Sequence, residues 1–153
     1  MSHSPARSTE LLLVDDSTAD IALALHVVQE RQPQPTVTVA HSGSDALDFA
    51  FATGKYAARN RAEQPRLILL DATLPGMSGL EVVQRLKGHP RTRPIPVVVL
   101  SNSRAAIDLD RFYTAGVNSY LYKDTDFENF CRALHTTLDY WLEFNLLPPP
   151  PTA

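Results

Sequence analysis

The chain has 153 residues, 44% of them hydrophobic, which suits one domain with one core. Its 14 basic and 17 acidic residues leave a net charge of -3, so no basic surface for nucleic acid is indicated. No apolar stretch approaches the ~20 residues of a membrane span, residues 1–10 lack the apolar core of a secretory signal, and the single cysteine, Cys131, excludes an intrachain disulfide and points to a reducing, cytoplasmic setting.

Along the chain, strand-sized apolar runs alternate with amphipathic, helix-length segments. The first strand is expected at Glu10–Val14 and the first helix at Ala19–Arg31, ended by Gln32-Pro33-Gln34-Pro35. The β-branched run Thr36–Ala40 reads as a second strand, followed by a helix over Ser44–Thr53 with Gly54 as its stop. A polar loop, Lys55–Pro65, precedes a third strand at Leu67–Leu70. Ser78-Gly79-Leu80-Glu81 has capping-box spacing and opens a third helix, Gly79–Lys87, closed by Gly88 and Pro90. A fourth strand (Ile95–Leu100), a fourth helix (Arg104–Ala115, stopped at Gly116) and a short fifth strand (Ser119–Tyr122) follow. A second capping box, Thr125-Asp126-Phe127-Glu128, starts a long last helix, Asp126–Asn145. The expected organisation is a flexible N-terminus (1–8), one domain with an extended last helix (9–147) and a proline-rich tail (148–153). Five strand–helix alternations predict an α/β fold: a doubly wound, five-stranded parallel sheet covered on both faces.

The chemistry sits where the strands end. Asp15 and Asp16 close the first apolar run and Asp71 closes the third, so three carboxylates meet at the carboxyl edge of the sheet, where open α/β sheets bind ligands. Their mutual repulsion is relieved by a shared cation, and hard oxygen donors suit Mg²⁺. Ser101 follows the fourth strand and Lys123 the fifth. Asp71 is placed to attack phosphorus, as carboxylates do in aspartyl phosphates. The Ser101 hydroxyl and the Lys123 ammonium are placed to hold the phosphoryl oxygens. The five histidines are scattered without metal-ligand spacing, and Cys131 reads as a small core residue.

Asp15-Asp16, Asp71 with Leu74-Pro75 and Gly79, Ser101 and Lys123, in this order and spacing, resemble the receiver domain of bacterial two-component response regulators over about residues 9 to 143. The resemblance implies the flavodoxin-like strand order 2-1-3-4-5. It implies that Asp71 is the phosphoacceptor, that Asp16 binds Mg²⁺ directly, and that Asp15 acts largely through water. It further implies that the Thr73 backbone carbonyl completes the metal site, that Ser101 and Lys123 sense the phosphoryl group, and that Tyr120 is an aromatic switch. The runs Asp71-Ala72-Thr73-Leu74-Pro75-Gly76-Met77-Ser78-Gly79 and His89-Pro90-Arg91-Thr92-Arg93-Pro94-Ile95-Pro96-Val97-Val98-Val99-Leu100-Ser101, with Tyr140-Trp141-Leu142 late in the last helix, are similar to the stand-alone regulators that partner bacterial phytochromes. That subgroup implies a phytochrome-type histidine kinase as partner, and a homodimer. Trp141, Leu142 and Phe144, with Leu146 and Leu147, are the expected interface residues, together with the fourth helix and fifth strand. Nothing after the last helix reads as able to bind DNA or to catalyse, so output is expected to pass to another protein, or phosphate onward.

One departure stands out. Receivers usually carry proline after the lysine, joined by a cis peptide, whereas Asp124 follows Lys123 here. A non-proline cis bond costs ~2.5–4 kcal/mol, so the expectation is either a trans bond with a shifted loop or a strained cis bond. The Asp124 carboxylate is also expected to compete with phosphate for the Lys123 ammonium. That departure motivates an alternative reading, a phosphorylation-independent dimeric docking module of the same fold. Enzyme readings fare worse. An aspartyl-phosphate phosphatase needs a carboxylate where Thr73 stands, and Asp15-Asp16 would repel a flavin phosphate.

Overall fold

The computed structural model describes residues 8–149. The expected flexible N-terminus therefore lies outside the described residues apart from Ser8, as does the proline-rich tail beyond Pro149. Five strands form one parallel sheet: β1 (Leu11–Val14), β2 (Val37–Ala40), β3 (Leu67–Asp71), β4 (Val97–Ser101) and β5 (Ser119–Tyr122), in the order β2-β1-β3-β4-β5. Five helices connect and cover them: α1 (Thr18–Gln29), α2 (Gly43–Phe51), α3 (Gly79–Lys87), α4 (Ala106–Ala115) and α5 (Phe127–Asp139).

The central strands β1, β3 and β4 are buried along their whole length, as a parallel sheet covered on both faces requires. Side chains alternate between two cores because the strand period is two. Leu12, Val14, Ile68, Leu70, Val97 and Val99 pack with α2, α3 and α4. Leu11, Leu13, Leu67, Leu69, Val98 and Leu100 pack with α1 and α5. Arg31 fixes α1 to the end of α5 through Asp139 and through Glu143 at 2.8 Å. No helix among the described residues is long and apolar enough to cross a membrane.

Register fixes where the strands end. Val14 pairs with Leu70, Asp71 with Leu100, and Ser101 with Tyr122. The residues at or just beyond those ends, Asp15, Asp71, Ser101 and Lys123, thus emerge on one rim.

Several boundaries differ from expectation for identifiable reasons. α2 ends at Phe51 with Ala52 as its C-cap, in the left-handed conformation at φ 54°, rather than running on to Thr53. Gly54 opens a 3₁₀ turn, and a Cβ there would sit 2.9 Å from the Asp48 carboxylate. α5 starts on Asp126, whose side chain accepts the Asn129 N–H at 3.1 Å, so Asp126 and not Thr125 is the N-cap. The α-helical bonding of α5 also stops at Asp139, and a π turn, Tyr140–Phe144, carries the chain on to Asn145. Ser78 caps α3 as expected, accepting the Glu81 N–H at 3.2 Å.

The interface candidates fall unevenly. Leu142 is buried in the protomer's own core and Trp141 packs partly against that core. Phe144 is exposed, as are Tyr140 and Leu146 nearby. The last turn of the chain therefore anchors itself with Leu142 and leaves Phe144 outside.

Candidate functional site

Asp15, Asp16 and Asp71 converge, with one carboxylate oxygen from each lying within 4.8 Å of the others. Asp15 and Asp71 are buried and Asp16 is exposed. Asp15 Oδ1 accepts the Ser17 N–H at 2.9 Å, which ties the acidic edge to the first turn of α1. Burial, with the Asp71 charge adding to it, pushes the Asp15 carboxyl up to about 6 against the opposing Ser17 hydrogen bond.

Both oxygens of Asp71 have partners. Oδ1 accepts the Thr73 N–H at 3.1 Å, and Oδ2 lies 3.2 Å from Lys123 Nζ. The chain turns sharply just beyond, where α3 begins against the end of β3. Gly79 is required there, because a Cβ would come within 2.6 Å of the Asp71 carbonyl and 2.8 Å of that of Ala72.

Lys123 settles the question raised by the missing proline. The only cis peptide among the described residues is Gln32–Pro33, so Lys123–Asp124 is trans, and the ammonium still reaches Asp71. Asp124 is not its competitor: its carboxylate accepts the Asp126 N–H at 2.8 Å. The competing carboxylate is Asp20, on the first turn of α1, 3.1 Å from Nζ. Burial acts to lower the Lys123 pKa, but the Asp71 charge and the hydrogen bonds to Asp20 and Asp71 outweigh it, and the net shift is upward. Sequence reading missed Asp20. Its signal was present, since a carboxylate four residues after Asp16 falls on the first helical turn above the same rim.

Ser101 is buried, and its Oγ accepts the Ser103 N–H at 3.1 Å. The Tyr120 hydroxyl donates to the Ser103 carbonyl at 2.8 Å, and its ring meets Phe112 edge-on at 5.8 Å. The Ser103 hydroxyl donates to Asp108 at 2.6 Å. Ser103, not singled out from sequence, thus joins Ser101, Tyr120 and α4.

The sequence matches the response regulator receiver domain across residues 11–135. The chain belongs to that family. It is 35% identical over 140 residues to a probable methanogenesis regulatory protein, FilR2, of Methanothrix harundinacea, covering 92% of this chain and 88% of the relative. It is 33% identical over 138 residues to the response regulator Rcp1 of Synechocystis sp., covering 90% and 92%. Among solved structures, the phosphorylated cyanobacterial phytochrome response regulator RcpA matches with a TM-score of 0.85 at 32% identity, covering 93% of this chain and 99% of that one. The Mn²⁺-bound form of Rcp1 matches at 0.83 and 33% identity, with the same coverage. A receiver of this kind is a phosphoacceptor switch rather than a turnover enzyme. The donor set at the rim fits a hard divalent cation, because it offers three converging carboxylates and no soft ligand.

Proposed function

We propose that residues 9–147 act as a single receiver that takes a phosphoryl group onto Asp71 from a partner histidine kinase, one of phytochrome type. The observation that carries this reading is the placing of Asp71 between an acidic cluster and the Lys123 ammonium. A carboxylate oxygen of Asp71 attacks the phosphorus of a phosphohistidine. The P–N bond breaks, its electron pair returns to the imidazole, and the imidazole takes up a proton. Asp15, Asp16, Asp71 and the Thr73 backbone carbonyl would hold Mg²⁺, which when bound neutralises charge on the phosphoryl oxygens. Lys123 turns part of its pairing from Asp71 to a phosphoryl oxygen. Ser101 donates to another, and in doing so gives up the Ser103 N–H. Because Ser103 also holds Tyr120 and Asp108, that exchange reaches the face formed by α4 and β5 and biases a two-state equilibrium there.

The phytochrome partner rests on the likeness to RcpA and Rcp1, whose names place those proteins with phytochromes or as response regulators. A homodimer is supported by the exposed Phe144 and Leu146 beyond α5, with α4 and β5 as the rest of the contact, and output then passes to another protein or the phosphate onward. Trp141 and Leu142 would support that surface from beneath.

Incubation with phosphoramidate and Mg²⁺ tests the central step. Wild type should show a phosphate-dependent mobility shift and Asp71→Asn none; a shift that persists in the variant removes Asp71 from the role. Light-scattering mass measurement tests the dimer. Phe144→Glu should lower the dimer fraction, and a wild type that stays monomeric when concentrated overturns that part.

A further inference from the structure

We propose that Asp20 is a positioning residue for Lys123, holding the ammonium at the rim while its remaining hydrogens pass from Asp71 to a phosphoryl oxygen. This rests on the assignment of Lys123 to the phosphoryl group made above. Lys123 Nζ lies between two carboxylates, 3.1 Å from Asp20 Oδ2 and 3.2 Å from Asp71 Oδ2. An ammonium carries three hydrogens, so it can keep one partner while exchanging another.

The two partners are not equivalent. Asp71 is buried and belongs to the acidic cluster; Asp20 is half-exposed and is not among the carboxylates that converge there. Asp20 also stands on a fixed base. Its N–H donates to the Ser17 hydroxyl at 3.3 Å, and the Ser17 N–H donates to Asp15, so the turn that carries Asp20 is built on the acidic edge itself. Lys123 has no comparable anchor of its own. It lies just past the end of β5, its side chain has four flexible bonds, and the neighbouring Asp124 carboxylate accepts the Asp126 N–H. Without Asp20, Asp71 would be the only carboxylate paired with the ammonium among the described residues, and Asp71 is the group whose oxygen must be released for reaction. The pair also links the start of α1 to the loop after β5.

A double-mutant cycle on the full chain tests this. Asp20→Ala should slow phosphorylation by phosphoramidate at saturating Mg²⁺ about 10-fold, the scale of one charge-assisted hydrogen bond. Asp20→Glu should recover part of the loss, and Asp20→Asn serves if the alanine variant does not fold. In a Lys123→Ala background the Asp20 substitution should change the rate less than about 2-fold, because its effect runs through the lysine. In metal-free protein, NMR order parameters of the Lys123 side chain should fall in Asp20→Ala. A wild-type rate in Asp20→Ala, a faster rate, or an undiminished loss in the Lys123→Ala background overturns the proposal. A wild type that phosphoramidate does not modify overturns the phosphoacceptor reading instead.

Discussion

Two half-buried lysines lie at opposite ends of the same sheet in contrasting company. Lys87, at the amino edge, donates to the carbonyls of Arg93 (3.0 Å) and Ile95 (2.7 Å) and to Asn118 Oδ1 (3.0 Å). All three acceptors are neutral, and burial pushes its pKa down to about 8. Lys123, at the carboxyl edge, faces two carboxylates and is shifted the other way. Three neutral oxygens around one ammonium make a closed pin between α3, the start of β4 and the turn before β5. A cation shared by two carboxylates, as Lys123 is, can exchange one partner while it keeps the other. The same side chain is pinned by neutral oxygens at one edge and shared between two carboxylates at the other, and the charge of the acceptors sets the direction of each pKa shift.

The contrast breaks first at Lys123. Lys123→Met should slow phosphorylation about 100-fold, as loss of a preorganised charge does. Titration by tryptophan fluorescence should find Mg²⁺ bound a few-fold more tightly, since a competing cation has left Asp71. Weaker Mg²⁺ binding would mean that the lysine supports the metal site and does not oppose it. Lys87→Met should do the reverse. It removes the ammonium from the Arg93 and Ile95 carbonyls and from Asn118 Oδ1, which keeps the Val97 N–H at 2.9 Å, and should cost about 2 kcal/mol in urea denaturation with an unchanged slope, while the phosphorylation rate of the folded protein stays within about 2-fold.

The smallest effect sharpens the acidic side. With Asp15 raised from 3.8 to about 6, the metal-free folded protein holds a proton between those pH values that the unfolded chain has released. Its stability therefore falls as pH rises through that window. A divalent cation relieves that penalty once Asp15 is ionised. The rise in Tm on adding Mg²⁺ should be several-fold larger above about pH 7 than at about pH 5. An equal rise at both would detach Asp15 from the site.

Much of this was legible in the chain itself. Apolar runs such as Leu67-Ile68-Leu69-Leu70 declare buried strands, and aspartates placed right after them have nowhere to go but the rim. Asp15, Asp16, Asp71, Ser101 and Lys123 could therefore be named and brought together from order and spacing. Element ends were less legible, because helix ends are decided by local competition among neighbouring caps. Asp126 displaced Thr125 in that way, and Ala52 accepted a strained φ that the sequence assigns to glycine. Leu142 read as interface and turned out to be core, since apolar character marks burial without saying against what.

Sequence alone thus determined the fold class and which polar groups meet at the rim, because the alternation of apolar runs buries the strands and puts their ends on one edge. Which carboxylate holds Lys123 was settled only in three dimensions. Asp124 is adjacent in the chain but bends back to its own backbone, while Asp20, more than a hundred positions away, is brought over the rim by the packing of α1 on the sheet.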